Sequence, residues 1–234
     1  MSLSSEEMAL IDLRFHPRAR KITLKASTIK GLILTAPPSI SLETCKEFLN
    51  DNASWIREQI SLIQVKNQEK VFDFNTQFST FYRNVHLVET DISELRYRLT
   101  DTKLSIYVSA NDILKRSSQK QIKEIIIDTL RLEAKHYLPI RLKELADKQN
   151  LKYQKLTVKN LKSVWGSCSY TNNINLSLHL MRLPTELIDY VIWHELTHTI
   201  EKNHSKRFWD KLENFLPGAK DLDRQLKNYH PQDL

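Results

Sequence analysis

Two hydrophobic rhythms alternate along this chain, one with period two and one with the helical period of 3.6. Ile22, Leu24 and Ala26 alternate with Lys21, Thr23 and Lys25, and Leu32, Ile33 and Leu34 follow before Pro37-Pro38, so residues 11–36 read as strands. Ser41 suits a helix N-cap, with Glu43 in the first turn to complement the dipole. Phe48, Leu49, Trp55, Ile56 and Ile60 then recur at helical spacing and predict one amphipathic helix over 42–65. Strand character returns at 84–89, 95–99 and 103–108.

The polar stretch 110–120 interrupts both rhythms and is the best candidate boundary. It predicts a mixed α/β module over 1–112 and a second part over 113–234. Ser118 and Gln121 have capping-box spacing for a long helix striped by Ile122, Ile126, Leu130, Ala134, Leu138, Leu142 and Leu145, which Pro139 should kink or divide. Leu156 and Val158 suggest a strand. Ile174, Leu176, Leu178 and Leu180 alternate with Asn175, Ser177, His179 and Met181, the cleanest period-two run in the chain, and the turn residues 170–173 precede them. Pro184 fits the first turn of a helix running through Leu187, Ile188, Val191 and Ile192 into His194. Ser205 suits the N-cap of another helix, with Phe208, Trp209, Leu212 and Phe215, that ends near Pro217-Gly218. The expected fold is α+β: a small N-terminal mixed module, then a long helix, a β-hairpin, a helix carrying His194, and C-terminal helices.

Composition narrows the setting. Apolar residues make up 41% and charged residues 27% of 234 positions, an ordinary globular balance, and no run approaches the ~20 apolar residues of a membrane span. The first residues lack the basic and long apolar segments of a secretory signal, and there are only two cysteines, Cys45 and Cys168. A cytoplasmic protein is the expectation, with no membrane partner and no indication of oligomeric state. The net charge of +7 raises the odds of a polyanionic partner, although a solvated basic surface is commoner. Arg14, Arg18, Arg20, Lys21 and Lys25 on the N-terminal strands are the residues that would touch phosphates.

The chemistry concentrates at 194–204. His194-Glu195-Leu196-Thr197-His198 is H-E-x-x-H within a helical pattern, so two imidazoles share one face and converge on one ion, expected to be Zn²⁺. Glu195 lies about 100° around the helix. It flanks the ion without ligating it and can take a proton from the attacking water. A catalytic zinc usually has three protein ligands. His204, six residues on, can supply the third if the helix ends and the chain swings back; Asn203 could terminate it in the left-handed conformation. Glu213 and Glu201 are rival third ligands.

Val164–Ser169, Asn173–Pro184, Ile188–His198 and Asn203–Trp209 closely resemble the YgjP-like family of metal-dependent hydrolases, a relative of the WLM and SprT-type zinc proteins. The segments 18–25 (RARKITLK) and 53–56 (ASWI) extend the likeness over nearly the whole chain. The resemblance implies zinc on His194, His198 and His204, a catalytic Glu195, and a minimal zincin-like metallopeptidase core in the C-terminal half. The chain departs from the family pattern at Val164 and His179, where arginine is usual.

Other residues carry weaker signals. Trp165-Gly166-Ser167 reads either as an exposed edge that could pair with an extended peptide or as a packed Trp beside a Gly bulge. His179 or Arg182 could stabilise an oxyanion, or be surface residues of a strand. Cys168 could be a nucleophile but lacks a triad, and Phe208 and Trp209 read as core. The function expected is a zinc-dependent hydrolase of peptidase type. The alternatives are a nucleotide or phosphoanhydride hydrolase and a basic nucleic-acid-binding module with a structural zinc.

Overall fold

The computed structural model describes residues 2–27, 31–67 and 71–231. The chain divides into two units, residues 1–69 and 70–234.

In the first unit a short helix α1 (Ser5–Ala9) leads into three strands, β1 (Ile11–Phe15), β2 (Thr23–Ser27) and β3 (Gly31–Ala36), ordered β1-β3-β2 with β1 and β3 parallel. Leu32, Leu34 and Ala36 of β3 point to one face and bury against Cys45, Leu49, Ala53 and Ile56. Those four belong to α2 (Leu42–Asp51) and α3 (Ala53–Asn67). The single helix expected over 42–65 is therefore two. Ser41 does cap the first, its Oγ accepting from the Thr44 amide. Asn52 ends it, because its side-chain amide donates to the Phe48 carbonyl and so competes with the helical ladder.

The second unit holds the other strands and the large core. β4 (Phe78–Ser79), β5 (Asn84–Glu89), β6 (Arg96–Leu99) and β7 (Lys103–Val108) form a sheet ordered β4-β5-β7-β6. The sequence reading assigned these strands to the N-terminal module, with a boundary at 112. Their buried residues Val85, Leu104, Ile106 and Val108 belong instead to one core with α4 (Arg116–Lys148). Polarity at 110–120 marks a surface connection, not a division of the core.

Helix α4 begins two residues before Ser118, at Arg116, with no side-chain cap on Lys115, and Ser118 is buried in its first turn. Gln119 anchors this end instead. It exchanges two hydrogen bonds with the Phe72 backbone and donates to the Ile113 carbonyl. The helix runs unbroken through Pro139, which lies on its exposed face, where water can satisfy the carbonyl that proline leaves unpaired. Every residue of the expected stripe, Ile122 to Leu145, is buried.

A third sheet, of β8 (Lys155–Lys159), β9 (Gly166–Cys168) and β10 (Asn173–Ser177), is ordered β8-β10-β9. β8 and β10 run parallel, and the hairpin is formed by β9 and β10. The period-two run does not stay extended to Met181. Ser177 Oγ accepts from the His179 amide and donates to the Leu161 carbonyl, turning the chain into a 3-10 segment over Leu178–Arg182. Helices α5 (Thr185–Thr197), α6 (Lys206–Phe215) and α7 (Ala219–Leu226) complete the unit. α5 is fixed to α4 by a bidentate pair between Arg141 and Asp189 at 2.7 and 2.5 Å, and to α6 by Trp193 stacked on Phe215. No described helix is long and apolar enough to cross a membrane.

The Glu133 side chain, fully buried on α4, accepts from Thr80 Oγ1 and Arg83 Nη1, both at 2.7 Å, while Arg83 Nε reaches the Thr100 carbonyl. This pair pins two turns of the four-stranded sheet to α4. Arg83→Met leaves a buried carboxylate uncompensated, and we expect a loss of about 3–5 kcal/mol in chemical denaturation. A loss below about 1 kcal/mol, the worth of a surface pair, would contradict that role.

Candidate metal centre

The site is built at the C-terminal end of α5. Its apolar residues Leu187, Ile188, Val191, Ile192 and Leu196 are buried, which holds the helix inside the unit and turns His194 and His198 toward one side. α5 ends at Thr197, with His198 as C-cap, five residues before Asn203. Asn203 is not in the left-handed region; among the described non-glycine residues only Asn150 and Asn172 are. Hydroxyls stop the helix instead. Thr197 Oγ1 donates to the Trp193 carbonyl and Thr199 Oγ1 to the Leu196 carbonyl, both at 2.7 Å. The turn that follows returns the chain, and Ser205, the N-cap of α6, lets His204 point back.

Three Nε2 atoms meet there. His194 and His198 are 3.2 Å apart, His198 and His204 3.1 Å, and His204 and His194 2.9 Å. Phe208 of α6, fully buried, lies 4.6–4.9 Å from all three rings, so one aromatic side chain forms their common floor. The rival ligands are elsewhere. Glu213 accepts from the Gly218 and Lys220 amides at the start of α7, and Glu201 pairs with Lys211 at 3.3 Å.

The hydrogen bonds behind the rings show what the cluster suits. His198 Nδ1 lies 3.0 Å from the Glu201 carbonyl, which can only accept, so the proton is on Nδ1 and Nε2 carries a lone pair. Tyr190 spends its one hydroxyl proton on Asp223 Oδ1 at 2.9 Å and turns a lone pair to His194 Nδ1 at 3.4 Å, which gives His194 the same tautomer. Two lone pairs therefore face each other across 3.2 Å. Protonation does not relieve them, since burial and the neighbouring imidazoles push His194 down to about 3, and burial lowers His198 as well. A cation bonded to all three nitrogens does, and their separations are compatible with zinc–imidazole bonds of about 2.0–2.1 Å. The donor set fits zinc. His204 is exposed, so the cluster opens to solvent on one side.

Glu195 is buried beside it. Burial pushes its carboxyl up to about 8, a shift that a neighbouring cation would oppose, and Oε2 has no hydrogen-bond partner. Its neighbour is Gly166 of β9. A Cβ on Gly166 would stand 2.7 Å from Glu195 Oε1 and 2.8 Å from Cγ. The glycine of the Trp165-Gly166-Ser167 run is thus required by the carboxylate, not by a bulge. β9 is an edge strand. Trp165 and Ser169 bond to β10 through their backbones, so by antiparallel alternation the backbone groups of Gly166 and Cys168 face the open edge.

Of the remaining candidates, His179 and Arg182 lie apart. His179 is buried in the 3-10 segment, 2.8 Å from Asn160 Oδ1, and is held neutral by burial together with Arg182, Lys123 and Lys162, which push it down to about 3. Arg182 donates to the His230 carbonyl. It precedes the N-terminal end of α5, whereas His194 and His198 lie at the C-terminal end. Ser167 Oγ accepts from Asn175 on the outer face of the hairpin. Cys168 is half-buried with its thiol pushed up by burial, the reverse of an activated nucleophile. Sequence reasoning missed Tyr190, Asp223 and the role of Phe208. Tyr190 and Phe208 each fall one turn from a histidine of the cluster, His194 and His204, and that spacing was their available signal.

Gly166→Ala should displace the Glu195 carboxylate while leaving the fold intact. Any metal-dependent hydrolysis by the chain should fall on the order of 10²-fold, with unchanged circular dichroism and metal content. Activity within a few-fold of the parent would show that Glu195 does not depend on this contact.

Residues 20–229 match the family described as YgjP-like, metallopeptidase domain. Among solved structures, the metallopeptidase zymogen of Pyrococcus abyssi abylysin is similar at 26% identity, over 38% of this chain and 92% of its own, with a TM-score of 0.35. The metallopeptidase zymogen of Methanocaldococcus jannaschii jannalysin is similar at 23% identity, over 38% and 93%, also with a TM-score of 0.35. No curated protein matches. The family match spans most of the chain and takes in the three imidazoles, Glu195 and Gly166, and the chain belongs to the YgjP-like family of metal-dependent hydrolases.

Proposed function

We propose that this chain is a zinc-dependent peptidase whose general base is Glu195 and whose metal ligands are His194, His198 and His204. The observation that carries this reading is the contact between Glu195 and the edge strand β9 through Gly166, within the same unit as the imidazole cluster. It sets the Glu195 carboxylate beside a strand whose edge-facing backbone groups can align an extended chain, which supports this reading.

When bound, zinc supplies Lewis acidity toward a carbonyl and lowers the pKa of a water beside it. The chain's own residues do the rest. Phe208 closes the rear of the imidazole cluster and the exposed side at His204 admits substrate. Gly166 and Cys168 offer backbone donors and acceptors that hold a peptide strand in register. Glu195, closed on one side by Gly166, takes a proton from the attacking water and returns it to the leaving amine. Trp165 and Ser167 flank this edge and would contact substrate side chains.

The basic set Arg14, Arg18, Arg20, Lys21 and Lys25 belongs to the other unit, and Arg14 is paired with Asp12. No observation at the site favours phosphate over amide, so neither the nucleotide nor the polyanion reading is carried forward. Both cysteines are free thiols, which suits work in the reducing cytoplasm.

Glu195→Gln should retain metal and fold while hydrolysis of unfolded polypeptide falls by about 10²–10⁴-fold. Nucleoside triphosphate turnover that disappears in the same variant, with polypeptide left uncut by the parent, would overturn the peptidase reading. His204→Ala should lose stoichiometric zinc on metal analysis, and full retention would remove His204 from the ligand set.

A further inference from the structure

The metal-facing role of the three histidines leaves a buried tyrosine and its half-buried carboxylate partner without a function. Tyr190 is 2% exposed and precedes His194 by four residues, so the two share a face of α5, with ring centroids 5.9 Å apart in a T-shaped arrangement. Its hydroxyl donates to Asp223 Oδ1 at 2.9 Å and lies 3.4 Å from His194 Nδ1. Asp223 comes from α7, 33 residues further along the chain. On its other side Lys227 pairs with it at 3.0 Å. Burial works against the charge of Asp223, but hydrogen bonds from Lys227 and Tyr190 hold its carboxyl below the usual range, so it is a full acceptor.

From this the geometry points to Tyr190 and Asp223 as positioning residues. They form a carboxylate–phenol relay that fixes the orientation and tautomer of His194 and makes the docking of α7 part of the metal site. The inference rests on the reading that the three imidazoles hold zinc. The three ligands are secured differently. His198 is oriented by a backbone carbonyl one turn away, which no side-chain change removes. His204 sits on an exposed turn. His194 is oriented by two side chains, one of them on a separate helix. Groups that orient a ligand histidine through its second nitrogen typically change metal affinity by about 10–100-fold. The phenol passes the polarisation of the carboxylate to the imidazole without a direct ion pair. Zinc binding should in turn steady α7, because coupling between two sites acts in both directions.

The test measures zinc affinity by competition with a chromophoric chelator. It compares the parent with Tyr190→Phe, Asp223→Asn, the double variant and Asp223→Glu, and records melting of each metal-free protein. Each of the first two should bind zinc at least about tenfold more weakly, in the range set by comparable outer contacts. The double variant should be no weaker than the poorer single one, because both break one relay. Asp223→Glu should recover part of the loss, and metal-free melting should stay near that of the parent. Unchanged affinity in both single variants would overturn the relay. So would losses that simply add, or losses that follow a matching fall in metal-free stability. A parent that binds no stoichiometric zinc would instead defeat the metal reading itself, and the relay with it.

Discussion

Like-polarity lone pairs repel, and the centre of this protein brings such pairs together. His194 and His198 each use Nδ1 as a donor behind the ring, leaving Nε2 of both unprotonated at a separation of 3.2 Å, with His204 Nε2 within 3.1 Å of each. At most one N–H can stand among the three. A cation turns this repulsion into three bonds, and much of the surrounding architecture serves to hold the nitrogens in place for it. α5 is clamped to α4 through Arg141 and Asp189, Phe208 underlies all three rings, and hydroxyls rather than a left-handed residue stop α5 where the chain must turn back.

The same constraint accounts for the position of Glu195. Residue 195 cannot point where 194 and 198 point, because each step along a helix turns about 100°. Its side chain leaves the ligand face and meets β9, where only glycine leaves room for it. One sequence feature, a glycine in a short edge strand, thus ties the carboxylate to the open edge of the sheet. In the proposed function, catalytic base and substrate-pairing strand are positioned by this one contact, so neither can shift without the other.

Much of this was legible in the sequence because it depends on local spacing. The i, i+4 histidines, the buried stripe of α4 and the Ser41 cap follow from periodicities that tertiary packing did not override. What failed involved choices between local and distant partners. Ser118 has capping-box spacing but is buried, while Gln119 fixes the helix start through Phe72, far off in sequence. The alternation through His179 looked like strand, yet the Ser177 hydroxyl bends the chain and buries His179. The boundary at 112 rested on polarity, whereas the core that joins β5 and β7 to α4 is set by pairings no local pattern reveals. Asp223 was invisible for the same reason: its partner lies 33 residues away and its helix, with Leu222 and Leu226 four apart, is short.

The most direct measurement of the central claim is X-ray absorption at the zinc edge of the zinc-loaded protein, beside its His204→Ala variant. The account requires one ion per chain with three imidazole nitrogens at about 2.0–2.1 Å and a light fourth ligand, and a shell one imidazole poorer in the variant. Sulfur in the shell, fewer than three imidazoles, or a spectrum unaltered by the substitution would contradict it.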